Sequence, residues 1–351
     1  MLTVLQVGCG RPLIRPTAFE WNPALELMTT QIKEGTLLYA VIGEGAPILL
    51  LHGFGGQIWV WEKQVVPLSR QYRLYIPDLL GNGFSDRPKV EYTPALFIDS
   101  IKQFMDLTGI KRASLIGNSM GGGLAWAFAL RYPDRVEKLI LIDSIPPDAV
   151  PEIRNRSFRR FFAIRNLPLL PQLGVALHTR GMLRATLMEM VFDDRLITDQ
   201  VVERQYQIGR IAGTAWVVTS TARHAEEVKQ YAGALGTLAR PTLVVWGEHD
   251  EVFPVSVGKK LHTLIKGSEL LVIKASGHMP MWEHPDETNR AILEFLGRYC
   301  RSNQLCQAAS AAAPCYVCFL SRQGANPLGA RRLVGHQRRS AMFRSPFHPF
   351  W

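Results

Sequence analysis

The body of this chain lacks cysteine. All five cysteines (Cys9, Cys300, Cys306, Cys315, Cys318) lie near its ends, and none falls between residues 10 and 299. A disulfide scaffold is therefore excluded for the body. Cys315 and Cys318 have the spacing of a zinc half-site, but no second ligand pair accompanies them, so no metal is expected. No run of 18 or more apolar residues occurs, and the apolar start Met1–Cys9 lacks the basic region of a signal peptide. A soluble, cytoplasmic protein is expected. Residues 299–351 lack Asp, Glu and Lys altogether but hold seven arginines. Of the formal net charge of +10, only +3 is left on residues 28–298 once that tail is set aside. A nearly neutral body offers no groove for nucleic acid.

What the chain does have is a core. Its residues are 47% hydrophobic, and from about residue 35 short apolar runs alternate with helical spacing. Strands are expected at 35–42, 48–51, 73–76, 113–116, 136–142, 241–245 and 270–273. Helices are expected at 94–108, after residue 119, at 256–265 and at 285–299. Alternating strands and helices imply an α/β fold, a doubly wound and mostly parallel sheet. The alternation stops at 145–235, which is punctuated by prolines and then helical in pattern. About 90 residues is too long for a connecting loop, so this stretch reads as a helical cap inserted in the core. The expected organisation is an N-terminal extension (1–27, disordered or loosely docked), a core (28–144 and 236–299), the cap (145–235) and a basic, disordered tail (300–351).

The stretch that organises the chain is Gly117-Asn118-Ser119-Met120-Gly121-Gly122. It follows an apolar strand and leads into good helix formers, the context of a nucleophile elbow. A serine on so sharp a turn is strained, and glycines at 117 and 121 give the backbone room. The serine hydroxyl needs a base to take its proton. His278, just after the last expected strand, is the candidate base. Asp250, directly after the strand at 241–245, is the candidate for the acid that orients the imidazole. His249, Glu248 and Asp143 are rivals for these roles. An oxyanion needs two donors. Met120 N–H follows the nucleophile, and Phe54 N–H sits in the glycine-rich loop His52-Gly53-Phe54-Gly55-Gly56. His52 is expected to buttress that loop. The cap begins with Arg154, Arg156, Arg159, Arg160 and Arg165 interleaved with Phe158, Phe161 and Phe162. An arginine there could dock a substrate carboxylate, the helix could touch an anionic membrane, or the arginines could form a solvated face.

Over about residues 30–298 the chain resembles the α/β-hydrolase fold family. The resemblance is carried by residues 52–56, Asp78-Leu79-Leu80-Gly81-Asn82-Gly83-Phe84-Ser85, the elbow, Gly247 to Pro254, and Gly277-His278-Met279-Pro280. It implies a serine hydrolase with the triad Ser119, Asp250 and His278, an oxyanion hole at Phe54 and Met120, and no cofactor or metal. Phe54, Asn118 and Met279 would face a small-molecule acyl substrate. The elbow is also similar to that of carbon–carbon bond hydrolases acting on ring-fission products of aromatics. Those enzymes usually carry tryptophan directly after the histidine, where this chain has Met279. Hydrolysis of a carboxylic ester is the leading expectation, with carbon–carbon hydrolysis second. A ligand receptor or scaffold on the same fold is the non-enzymatic alternative.

Overall fold

The apolar run at 48–51 lies at the centre of an eight-stranded sheet. A computed structural model of the chain describes residues 10–298. The five cysteines, residues 1–9 and the tail with its expected disorder lie outside the described residues. The strands are β1 (Glu26–Ile32), β2 (Gly35–Ile42), β3 (Ala46–Leu51), β4 (Tyr72–Pro77), β5 (Ala113–Asn118), β6 (Val136–Ile142), β7 (Thr242–Gly247) and β8 (Glu269–Ile273). Their order is β1-β2-β4-β3-β5-β6-β7-β8. β1–β2 and β2–β4 pair antiparallel, and every other neighbour pairs parallel.

The central strands are apolar throughout because both of their faces are covered. Successive side chains point to opposite faces. Ile48, Leu50, Ile116 and Ile140 enter one layer, while Leu49, Leu51, Leu115 and Leu139 enter the other. The first layer is closed by α1 (Glu62–Ser69) and, further along the chain, by two C-terminal helices. The second is closed by α2 (Pro94–Leu107) and α3 (Met120–Arg131). α2 shows why these residues become helix. Phe97, Ile98, Ile101, Phe104 and Met105 form one buried stripe. Thr93 Oγ1 accepts the Leu96 N–H at 3.1 Å, a cap of about 1 kcal/mol. Pro94 sits in the first turn, and Gly109 (φ 74) turns the chain out after the helix.

Between β6 and β7 the described chain has no strand. It holds α4 (Ala149–Glu152), α5 (Arg156–Ile164), α6 (Leu170–Ala176), α7 (Arg180–Met188), α8 (Asp199–Gly209), α9 (Thr214–His224) and 3₁₀ turns from Ala225 to Thr237. This is the inserted helical cap. Its first arm leaves the core where Arg154 N–H donates to Val252 O (3.0 Å). It returns where Met190 O accepts His278 N–H (2.7 Å). After β7 come α10 (Val255–Leu264), α11 (Pro280–Glu283) and α12 (Pro285–Arg298). α10 joins the α2–α3 side, and α11 and α12 join the α1 side.

Of the two expectations for residues 1–27, disorder is corrected for residues 10–27, which are docked. Arg15 pairs with Asp86 at 2.5 Å, Phe19 stacks on Trp21, and Leu25 is buried in the α1-side layer. Arg11 exchanges backbone hydrogen bonds with Arg210 and Ala212 at 2.8 and 2.9 Å. Glu26 and Leu27 already belong to β1. No periodic pattern announces these contacts, because they are isolated side-chain and backbone contacts outside any helix or long strand. Among the described residues no helix is long and apolar enough to cross a membrane.

Candidate active site

β5 delivers Ser119 into a turn that few residues tolerate. Ser119 has φ 52 and ψ −118, a conformation costing on the order of 1–3 kcal/mol. Neighbouring strands hold it there. Ser119 N–H donates to Ile142 O (2.9 Å), and Ser119 O accepts from Ile145 N–H (3.0 Å) and Gly123 N–H (3.1 Å). The glycines are required by space. A Cβ at Gly117 would lie 2.3 Å from Gly121 O, and one at Gly121 would lie 2.0 Å from Leu51 O. α3 starts immediately after the serine, so its amide dipoles converge on this point.

The loop after β3 runs alongside. A Cβ on Gly53 would come within 3.2 Å of Ser119 Cβ. His52 fixes this loop from beneath. Its Nε2 accepts the Leu79 N–H (3.0 Å), which makes Nδ1 the protonated nitrogen, donating to Gly53 O (2.8 Å). Burial lowers the pKa of this imidazole to about 4, so it stays neutral. Among the described residues the N–H groups of Phe54 and Met120 have no acceptor. Two unused amides beside a serine can hold a developing oxyanion.

Asp250 follows β7 and His278 follows β8. His278 Nδ1 lies 2.8 Å from Asp250 Oδ2, and both side chains are buried. Asp250 Oδ1 accepts from Val252 N–H (2.7 Å) and Phe253 N–H (3.0 Å), which aims its other oxygen at the imidazole. Glu283 ties down the histidine loop, accepting Gly277 N–H at 2.7 Å and Phe192 N–H at 2.6 Å. Asn118 Nδ2 donates to His278 O (3.3 Å) and Ile142 O (3.2 Å), joining the serine and histidine turns. The rivals His249 and Glu248 are about half exposed.

Asp143 lies inside the cluster. One oxygen each from Asp143 and Asp250 and one nitrogen of His278 all fall within 4.8 Å of one another. Asp143 Oδ1 accepts the Gly247 N–H at 2.9 Å. Burial, and then the adjacent Asp250, hold the Asp143 carboxyl well above the usual carboxylate range. Its Oδ2 is buried and has no hydrogen-bond partner among the described residues.

The serine opens into a cavity of about 260 Å³ that is also lined by Phe54, Met120, Asn118, His278 and Met279. The structure thus brings together all seven residues singled out in the sequence. Sequence reasoning missed the remaining walls, among them Tyr92, Phe97, Leu183, Leu187, Met190 and Phe253. It also missed Gln205, whose Nε2 donates to Gly55 O at 2.7 Å and ties α8 to the loop after β3. Phe253 carried a faint signal, lying three residues after the candidate acid. The cap residues carried none. Among the described residues no arginine or lysine lines this cavity. Arg154, Arg156, Arg159, Arg160 and Arg165 border a separate outer groove, while Phe158 and Phe162 turn inward against Phe54.

A strained serine, a buried His–Asp pair and two free amides thus lie together at the strand ends of a mostly parallel sheet. The family model of the alpha/beta hydrolase fold matches residues 46–285, and the chain belongs to that family; it is a hydrolase. It is similar to the 2-hydroxy-6-oxononadienedioate/2-hydroxy-6-oxononatrienedioate hydrolase of Paraburkholderia xenovorans, at 31% identity over 281 residues, 76% of this chain and 93% of the relative. Among solved structures it is similar to the meta-cleavage product hydrolase of Pseudomonas fluorescens, at 28% identity and TM-score 0.68, covering 77% of this chain and 97% of that one. A membrane phospholipase A, described as a bacterial virulence factor, is 25% identical with TM-score 0.64, covering 78% and 86%.

Proposed function

We infer that the chain is a cytoplasmic serine hydrolase of carboxylic esters with apolar acyl groups, capped by residues 145–235. In this reading His278 takes the proton of Ser119, whose oxygen attacks the ester carbonyl. Phe54 and Met120 N–H groups hold the oxyanion, and Asp250 stabilises the imidazolium. His278 then protonates the leaving alcohol. Water enters, loses a proton to the same imidazole and releases the acid, regenerating Ser119.

The observation that carries the ester reading is the wall of the cavity. It is overwhelmingly apolar, and among the described residues no arginine or lysine is there to meet a substrate carboxylate. A charged substrate would lose hydration there without compensation. The phospholipase A to which the chain is similar is, by its name, a hydrolase of acyl esters. A second reading, carbon–carbon hydrolysis, is favoured by the names of other relatives, which act on dienoate and dienedioate compounds. Those substrates carry carboxylates.

The test compares p-nitrophenyl esters of increasing acyl length with a vinylogous diketo acid, using wild type and Ser119→Ala. The expected result is a burst and turnover on the neutral esters, both lost in the variant, with little activity on the diketo acid. The reverse preference would establish the second reading. A folded protein inert toward both would leave the receptor alternative.

A further inference from the structure

The first arm of the cap presents two surfaces to solvent that no described residue covers. Twelve large apolar residues are exposed among the described residues, and six of them fall within 167–182: Leu167, Leu169, Leu170, Leu173, Leu177 and Met182. Leu169 and Leu177 are 72% and 73% exposed. Leu169 also holds φ 63, a left-handed conformation unfavourable to leucine, at the turn that starts α6. Folding has not hidden these side chains. Contiguous exposed apolar surface of this kind marks an interaction site.

The neighbouring surface is cationic. Residues 153–188 contain seven arginines and no acidic residue or lysine; Arg154, Arg165, Arg180 and Arg184 pair with Glu152, Glu226, Glu203 and Asp199 outside the segment. On α5, Arg156, Arg159 and Arg160 share one exposed stripe, and among the described residues none of them has an ion pair. The opposite face of α5 turns Phe158 and Phe162 into the cavity. The helix is therefore apolar inward and basic outward, with a leucine-bearing turn directly after it. Leucines that can enter acyl chains, beside guanidinium groups that meet phosphates, match the chemistry of a membrane interface.

We propose that this arm docks peripherally on an anionic lipid surface, with α6 and its preceding turn inserted among the acyl chains and Arg156, Arg159 and Arg160 at the headgroups. Charge selects this occupant. A second copy would bring the same acid-free, arginine-rich segment face to face with itself, and the chain's own tail is equally rich in arginine and free of acid. The surface is independent of which bond the site cleaves.

The experiment measures co-sedimentation of the full-length Ser119→Ala protein with phosphatidylcholine vesicles, with and without phosphatidylglycerol. It is repeated for Arg156→Gln/Arg159→Gln/Arg160→Gln and for Leu169→Ser/Leu173→Ser/Leu177→Ser, each confirmed as folded by circular dichroism. Binding is expected only with phosphatidylglycerol. Each arginine should contribute about 5-fold, so the triple arginine variant should bind roughly 100-fold more weakly. The leucine variant should lose binding too, and the remaining attraction should vanish at high salt. Tail arginines are common to all variants, so binding that persists unchanged in both variants overturns the proposal. So does equal binding to neutral vesicles, or wild type that ignores vesicles but dimerises through these leucines. None of these outcomes bears on ester turnover, which is measured separately on soluble substrates.

Discussion

Asp143 and Asp250 come from the ends of adjacent parallel strands, β6 and β7, and their carboxyl groups are buried together beside His278. Two carboxylates so placed cannot both be ionised cheaply, and burial together with the neighbouring Asp250 raises the pKa of Asp143. Asp143→Asn keeps the size of the side chain and an acceptor for Gly247 N–H, and asparagine tolerates its φ of 42. This variant should fold and keep ester turnover within about 10-fold of wild type. Asp143→Ala strands the Gly247 N–H and should lose roughly 1–3 kcal/mol in urea titration.

The same carboxyl gives a pH dependence. Its folded pKa lies above its unfolded one, so the folded state holds the extra proton. That contribution is greatest below the ordinary carboxylate pKa and is lost as pH rises through the folded value. Denaturation midpoints measured from acid to alkaline pH should therefore fall less steeply for Asp143→Asn than for wild type.

His52 produces the opposite slope. Its folded pKa is lowered to about 4 from 6.5. The unfolded chain therefore takes up a proton first, and stability falls as pH drops from about 6.5 toward 4. The full effect is about 3 kcal/mol. His52→Asn should be less stable at neutral pH, because Leu79 N–H loses its acceptor, but should show a shallower acid decline by the same titration.

Asp250→Asn separates orientation from folding. The amide can still accept from Val252 and Phe253, so the loop should survive. It can no longer stabilise an imidazolium, and kcat on a p-nitrophenyl ester should fall by about 10⁴-fold. An unchanged kcat would remove Asp250 from the mechanism.

Glycines offer a test of packing alone. Gly121→Ala drives a methyl into Leu51 O and should abolish soluble folded protein. Gly297→Ala, where nothing lies within 4 Å of the new Cβ, should stabilise α12 by about 0.5–1 kcal/mol. Thermal melts of both variants decide.

The parallel strands were legible because burial on both faces forces unbroken apolar runs. β2 spans the expected 35–42 in the structure, and β3 extends the run at 48–51 by two residues. β1 was not legible. It is an edge strand with residues such as Thr29, Thr30 and Gln31 and an exposed Met28, so neither face demands a strong pattern. The elbow could be read because steric necessity writes glycines into the sequence. The closeness of Asp143 to Asp250 could not, since it depends on β6 pairing with β7 across some 100 intervening residues. The interleaved arginines and phenylalanines of α5 were equally ambiguous. Composition alone does not say which stripe faces the cavity, and the structure turns the rings inward.

The arm of the cap between Arg154 and Met190 stands on two feet, and each foot is a backbone bond into a different catalytic turn. One reaches Val252, beside Asp250; the other reaches His278 itself. Such an arm is a cassette. Both joints use main-chain atoms, so exchanging side chains between them leaves these two bonds in place, while Phe158 and Phe162, which pack on Phe54, are the side chains of the arm that reach the site. The lining of the cavity can thus diversify by replacement within one contiguous segment while Asp250 and His278 stay in register. A replacement that changed the spacing of the feet would disturb both turns together, so the joints, more than the helices between them, set which arms this core can accept.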